Sequence, residues 1–215
     1  MKSVPALLTA VLLFGSTLQA ATDTVAADAA LARLLEGNKR FVAGAATHPD
    51  QTVERRTELV QGQHPFAIVL ACSDSRLSPE VVFDQGLGDL FVVRNAGNLT
   101  DDHVVGSIEY AVEHLHARLI VVLGHTKCGA VSAAVAGGEA PGHLSSIVVS
   151  LADAVAMAKR KPGDAIDNAV RINAKLGAAS LAANEPILAK AVKDDGVKIV
   201  AARYDLATGQ VEILP

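Results

Sequence analysis

The chain has 215 residues, enough for one domain with a full core and short for two. Half of the residues are hydrophobic, only 3% are aromatic and none is Trp, so the interior has to be built from Ala, Val, Leu and Ile. A formal net charge of −4, with no run of Lys or Arg, lacks the basic footprint that a phosphate backbone needs, which argues against nucleic acid as a partner.

The first segment stands apart. Met1-Lys2 is a short positive start, Pro5 to Phe14 is apolar, and Gly15 to Ala20 is a small and polar exit, the pattern of a secretory signal peptide. Residues 1–20 are therefore expected to be removed after Ala20, with Ala21 as the next choice, leaving 21–215 as the single domain. Loss of Lys2 makes that domain one unit more acidic. The apolar stretch is far shorter than the ~20 residues that span a bilayer, and no Cys lies nearby to carry a lipid. The expected location is the periplasm, otherwise the medium, without a stable membrane anchor.

Residues 25–43 place Ala30, Leu31, Leu34, Leu35, Asn38 and Phe41 at helical spacing, and a second, polar helix is predicted from about Gln51 to Gln61. It has to end near Gly62 and His64-Pro65, because proline disfavours helix in the residue before it. Four apolar runs, Phe66–Ala71, Leu90–Val93, Leu119–Leu123 and Val197–Ala202, are continuous rather than alternating, as buried parallel strands are. Helices are predicted over 102–116, 132–136, 144–158, 164–182 and 185–193. The last run, Gln210–Leu214, alternates polar with apolar after Thr208-Gly209 and should return as an antiparallel edge. The predicted fold is α/β: a single domain with a mostly parallel central sheet of four strands plus an antiparallel C-terminal edge strand, flanked by helices.

Ligand sites in open α/β sheets form outside the carboxyl ends of the strands. There the first strand runs into Cys72-Ser-Asp-Ser-Arg76 and the third into Gly124-His-Thr-Lys-Cys-Gly129. If those strands are neighbours, Cys72, His125 and Cys128 converge. Two thiolates, one imidazole and an open position describe a catalytic zinc site. The competing reading is a structural disulfide, because Cys72 and Cys128 are the only two cysteines of a chain addressed to an oxidising compartment. That reading explains neither His125 nor Asp74 and Arg76.

Cys72–Arg76, Arg94-Asn-Ala-Gly-Asn98, Ile108-Glu-Tyr-Ala-Val112 and Gly124–Gly129 occur in the order and at the spacing of β-class carbonic anhydrases, and Val197–Asp205 is also similar to that family. The resemblance covers about residues 28–215. It implies one zinc ion per chain on Cys72, His125 and Cys128, and reversible hydration of carbon dioxide to bicarbonate and a proton. It also pairs Asp74 with Arg76: the carboxylate orients the attacking water, and the guanidinium holds it bidentately off the metal. Family members show this Asp either on the metal or on the Arg. By analogy with plant-type members, Gln63 would reach the substrate across a dimer interface, and Phe91 and Tyr110 would line a narrow apolar pocket. Many of those members carry Val and Ala in the middle of Arg94–Asn98, which bears on pocket volume near Ala96. The resemblance further implies a homodimer with the N-terminal helix packed on the partner, or a tetramer of such dimers. A carbon disulfide or carbonyl sulfide hydrolase on the same scaffold is the alternative activity. The remaining histidines, His48, His64, His103, His114, His116 and His143, single out no proton shuttle.

Overall fold

The computed structural model describes residues 24–215, so the expected signal peptide and its cleavage point lie outside the described residues. The chain enters with α1 (Ala27–Val42), which buries Ala27, Ala30, Leu34, Gly37 and Asn38 on one face. Gly37 is required by a crossing: a Cβ there would stand 1.7 Å from the Phe83 carbonyl oxygen. The predicted polar helix is α2 (Val53–Glu58), started by the Thr52 hydroxyl accepting from Arg55 N–H and tightened at its end into a 3-10 turn, Leu59–Gln61, before Gly62.

Next come β1 (Ala67–Cys72), the short α3 (Pro79–Val82) and β2 (Leu90–Asn95), then α4 (Asp102–Glu113), capped by the Asp101 carboxylate accepting from His103 and Val104 N–H. This helix ends short of the predicted residue 116, where His116 turns to a left-handed φ of 57°. It buries Val104, Ile108, Ala111 and Val112. After β3 (Leu119–His125) and α5 (Gly129–Ala136), the segment predicted as one helix over 144–158 is two, α6 (Leu144–Ser150) and α7 (Ala152–Ala158). The long α8 (Ala165–Ala182), α9 (Leu188–Asp194), β4 (Lys198–Tyr204) and β5 (Val211–Leu214) complete the described chain. The start of α9 lies later than the predicted residue 185, beyond Pro186.

Among the described residues the sheet has five strands in the order β2-β1-β3-β4-β5, parallel except for β5, which returns antiparallel on β4 as its alternating pattern predicts. β1 and β3 are buried throughout because both faces are covered. Ala67, Val69, Ala71, Leu119, Val121 and Leu123 point into a layer shared with α1, α5 and α7. Their neighbours Ile68, Leu70, Ile120 and Val122 point into the opposite layer, with Ile108 of α4 and Leu188 of α9. The side-chain period of two in a strand makes this division. β2, at the edge, is only half-buried. The β1–β3 pairing of Ala71 with Leu123 then brings Cys72 and His125, the last residues of their strands, to neighbouring positions one residue out of register.

Candidate metal centre

Three donor atoms meet at the carboxyl ends of β1 and β3. The Cys72 and Cys128 sulfurs and a ring nitrogen of His125 all lie within 4.8 Å of one another, and all three residues are buried. The two thiols are free, with their sulfurs 3.9 Å apart. Tetrahedral ligands at about 2.3 Å from a common zinc would place two sulfurs a little under 4 Å apart, so the spacing is that of a metal clamp. His125 donates Nδ1–H to the Thr126 carbonyl at 2.9 Å. That fixes the tautomer in which Nε2 carries the lone pair. Nε2 itself is buried without a hydrogen-bond partner among the described residues. A buried acceptor is normally satisfied, and a metal between the two sulfurs would satisfy this one. The donor set fits zinc with a fourth position open.

The two sulfurs are close enough for one thiol to hydrogen-bond the other. The hydrogen bond between the two sulfurs, then His125 and the Gly97 N–H at 3.4 Å, lowers the Cys72 thiol. The same bond and burial push Cys128 up.

Asp74 rests on Arg76, the second of the two family arrangements. Arg76 Nε and Nη2 donate to its two carboxylate oxygens at 2.9 and 2.7 Å, and Arg76 N–H adds a third bond at 3.0 Å. The guanidinium holds the Asp74 carboxyl well below the usual carboxylate range. Its Oδ2 lies 3.8 Å from His125 Nε2, at the edge of the metal position without occupying it.

Arg94 is a contributor that sequence reasoning did not assign a role. From β2 it donates to the carbonyls of Cys72, Asp74 and Leu77 at 3.0, 2.8 and 2.6 Å. It therefore pins the whole turn that carries Cys72, Asp74 and Arg76. The signal was its place directly after an apolar strand, where a long cation has to find partners.

The expected pocket residues stand elsewhere in the chain. Phe91 pairs with Ile68, four positions before Cys72, which at about 3.3 Å per residue is roughly 13 Å down the sheet. Tyr110, on α4, is half-exposed and meets Phe91 with ring centroids 6.3 Å apart. Gln63 is exposed beyond the amino end of β1. Phe91, at that distance, does not line its own chain's metal position. Next to the metal loop lies a cavity of about 650 Å³, walled by Asn95, Ala96, Asn98, Ser146 and Asn173 among others.

A mostly parallel α/β sheet with a buried Cys-His-Cys group that could hold a metal ion, and an Arg-held aspartate at its carboxyl edge, is the architecture of an α/β enzyme. Residues 67–211 match the family described as carbonic anhydrase. Among curated proteins, carbonic anhydrase 2 of Mycobacterium tuberculosis is 42% identical over 186 residues, covering 85% of this chain and 90% of that protein. The carbonic anhydrase of Mycolicibacterium smegmatis is 42% identical over 189 residues, with 86% and 92% covered. Among solved structures, a tetrameric β-carbonic anhydrase of Sordaria macrospora superposes with a TM-score of 0.70 at 25% identity, covering 86% of this chain and 96% of that one. The β-carbonic anhydrase CafA of Aspergillus fumigatus gives 0.69 at 30% identity, with 87% and 89% covered. The chain belongs to the β-class carbonic anhydrase family. Its activity is the reversible hydration of carbon dioxide to bicarbonate and a proton.

Proposed function

We propose that this carbonic anhydrase is an exported zinc enzyme holding one ion per chain on Cys72, His125 and Cys128, and that it works as a homodimer or a tetramer of dimers. The observation that carries the zinc reading is the orphaned Nε2 of His125 facing two free sulfurs inside a 4.8 Å circle. Zinc, when bound, supplies a Lewis acid that makes water a nucleophile near neutral pH. Two thiolates cancel its charge, so the surrounding side chains have more to do than beside three imidazoles.

Asp74 is placed for that work. Its carboxylate accepts a hydrogen bond from the attacking water and turns the oxygen lone pair toward the carbon of the substrate. Arg76 keeps both carboxylate oxygens engaged, so that Asp74 does not take the open metal position itself. Arg94 holds the turn beneath them. Preorganised groups of this kind lose no energy to rearrangement during the reaction.

The position of Phe91 with Tyr110 against it supports the dimer. Phe91 is too far down β2 to serve its own chain, and Tyr110 stands against it; in a dimer the second copy would bring its metal position to them. Gln63 would donate to a substrate oxygen, while Phe91 and Tyr110 form the apolar wall that suits carbon dioxide. For export, the support is the charge and apolar pattern of residues 1–20. Among the described residues no helix is long and apolar enough to cross a membrane.

Metal analysis of the purified mature chain, coupled to a stopped-flow hydration assay, tests this reading. One zinc per chain is expected, with occupancy lowered and hydration abolished in Cys72→Ser, His125→Ala and Cys128→Ser. Full activity in a metal-free preparation would overturn it.

A further inference from the structure

We propose that Asn173, in the middle of α8, is a positioning residue for Cys72: it anchors Gly97, whose backbone N–H is hydrogen-bonded to the Cys72 sulfur. This deepens the zinc reading above and rests on it.

The residue is out of place by local criteria. Its helical neighbours are Ala169, Val170, Ile172 and Ala174, all buried, and Asn173 is only 8% exposed among them. Asparagine is a poor helix former, and burying an unpaired amide is costly. Nothing in the packing of an alanine-rich helix calls for it. What it does is reach out of its helix: Nδ2 donates to the carbonyl of Gly97, 76 residues away, at 2.9 Å.

Gly97 needs that hold. It has a left-handed φ of 84° and no side chain to fix it. The rest of the loop is tied by Asn95, which accepts from Leu99 N–H at 2.7 Å and donates to the Leu99 carbonyl at 3.0 Å. Those bonds close the loop on itself without touching the sulfur. Gly97 N–H, in contrast, points at Cys72 Sγ from 3.4 Å. A hydrogen bond donated to a ligand sulfur favours its charged form and fixes its direction, so loss of the anchor weakens the ligand. The chain of contacts runs from α8 through Gly97 to Cys72, and none of its first two members belongs to the metal clamp.

The test compares wild type with Asn173→Leu and Asn173→Ala, which remove the donor, and with Asn173→His, whose Nδ1–H can take the place of the amide and whose ring has the adjoining cavity for room. Each is loaded with zinc for chelator-driven release and with cobalt(II) for the sulfur-to-metal absorption band. Melting of the metal-free proteins is measured alongside. The expected result is release faster by about 10–100-fold in the Leu and Ala variants, the range of outer-layer substitutions at metal sites, with a shifted cobalt band, and near wild-type behaviour in the His variant. If the Leu variant does not fold, the Ala variant decides. Release within twofold of wild type with an unmoved band, whatever the change in melting temperature, overturns the proposal and leaves Asn173 as a packing residue. A His variant that behaves like the Leu variant also overturns it. Wild type that retains no stoichiometric metal would instead defeat the zinc reading, so the two failures are distinguishable.

Discussion

Gly124→Ala tests whether the space beside His125 is as tight as it looks. Gly124 is the penultimate residue of β3, and a Cβ there would stand 2.9 Å from Val170 Cγ1 and 3.4 Å from the Val170 carbonyl oxygen. Carbon pairs sit comfortably at about 3.5–4.0 Å, so β3 or α8 must give by more than half an ångström. Val170 is buried and has no open side to move into. Overpacking of this kind costs about 1–3 kcal/mol, and in a chain of this size each kcal/mol lowers Tm by about 2–4 °C. Expected is a fall of about 2–12 °C, measured at fixed protein and zinc concentration because both bias the folded state. Hydration should fall as well, on the order of 10-fold, since catalytic groups tolerate only about 0.5 Å of misplacement. Val170→Ala alone loses two buried methyl groups, about 1.6 kcal/mol, yet it opens room for the new Cβ. The double variant should therefore be less damaged than the two single losses together. Agreement with simple addition within about 0.5 kcal/mol, or a Gly124→Ala protein as stable as wild type, would refute the argument.

The remaining predictions concern the clamp and its charges. Asp74→Asn and Arg76→Ala should keep zinc, by metal analysis, and lose most hydration; wild-type rates in either variant would remove the proposed roles. Activity should rise with pH through the neutral range, with a midpoint above the ~7 of a dicationic zinc centre because two thiolates cancel the metal charge. Asp74 is not the group responsible: its carboxyl is held below the ordinary range, so its contribution is present above that range and is lost only in strong acid. The residual activity of Asp74→Asn should keep the wild-type midpoint in a stopped-flow pH profile, whereas a flat wild-type profile or a shifted midpoint speaks against this division of labour. Finally, oxidised glutathione should convert Cys72 and Cys128 of chelated protein to a disulfide, releasing reduced glutathione, while zinc protects the loaded protein. Equal loss of free thiols in both samples would contradict it.

Strand interiors were legible in the sequence because burial on both faces leaves an unbroken apolar run, as in Ile68–Leu70 and Leu119–Leu123. The antiparallel end was legible for the opposite reason, the alternation in Gln210–Leu214. The break at Leu151 was not. Both flanking segments are apolar at helical spacing, and the chain kinks there with neither Gly nor Pro at the junction. The short α3 was also missed, since a single turn of helix leaves no period to read. In the candidate site, the convergence of Cys72, His125 and Cys128 was legible from motifs that follow neighbouring strands, whereas the pairing of Asp74 with Arg76 came from the family resemblance. Arg94 was visible as part of a motif but not as the pin of the Cys72–Leu77 turn, which depends on three backbone carbonyls that no side-chain pattern encodes. Asn173 was invisible for the same reason: its partner is a carbonyl in a distant loop.

The distance between Phe91 and Cys72 along the sheet has a genetic consequence. In the proposed dimer each reaction centre draws its clamp from one chain and its wall from the other, so the unit of function is a pair of half-sites. Two alleles, one with a broken clamp and one with a broken wall, then complement: in the mixed dimer both lesions fall on the same centre, and the other is assembled entirely from intact halves.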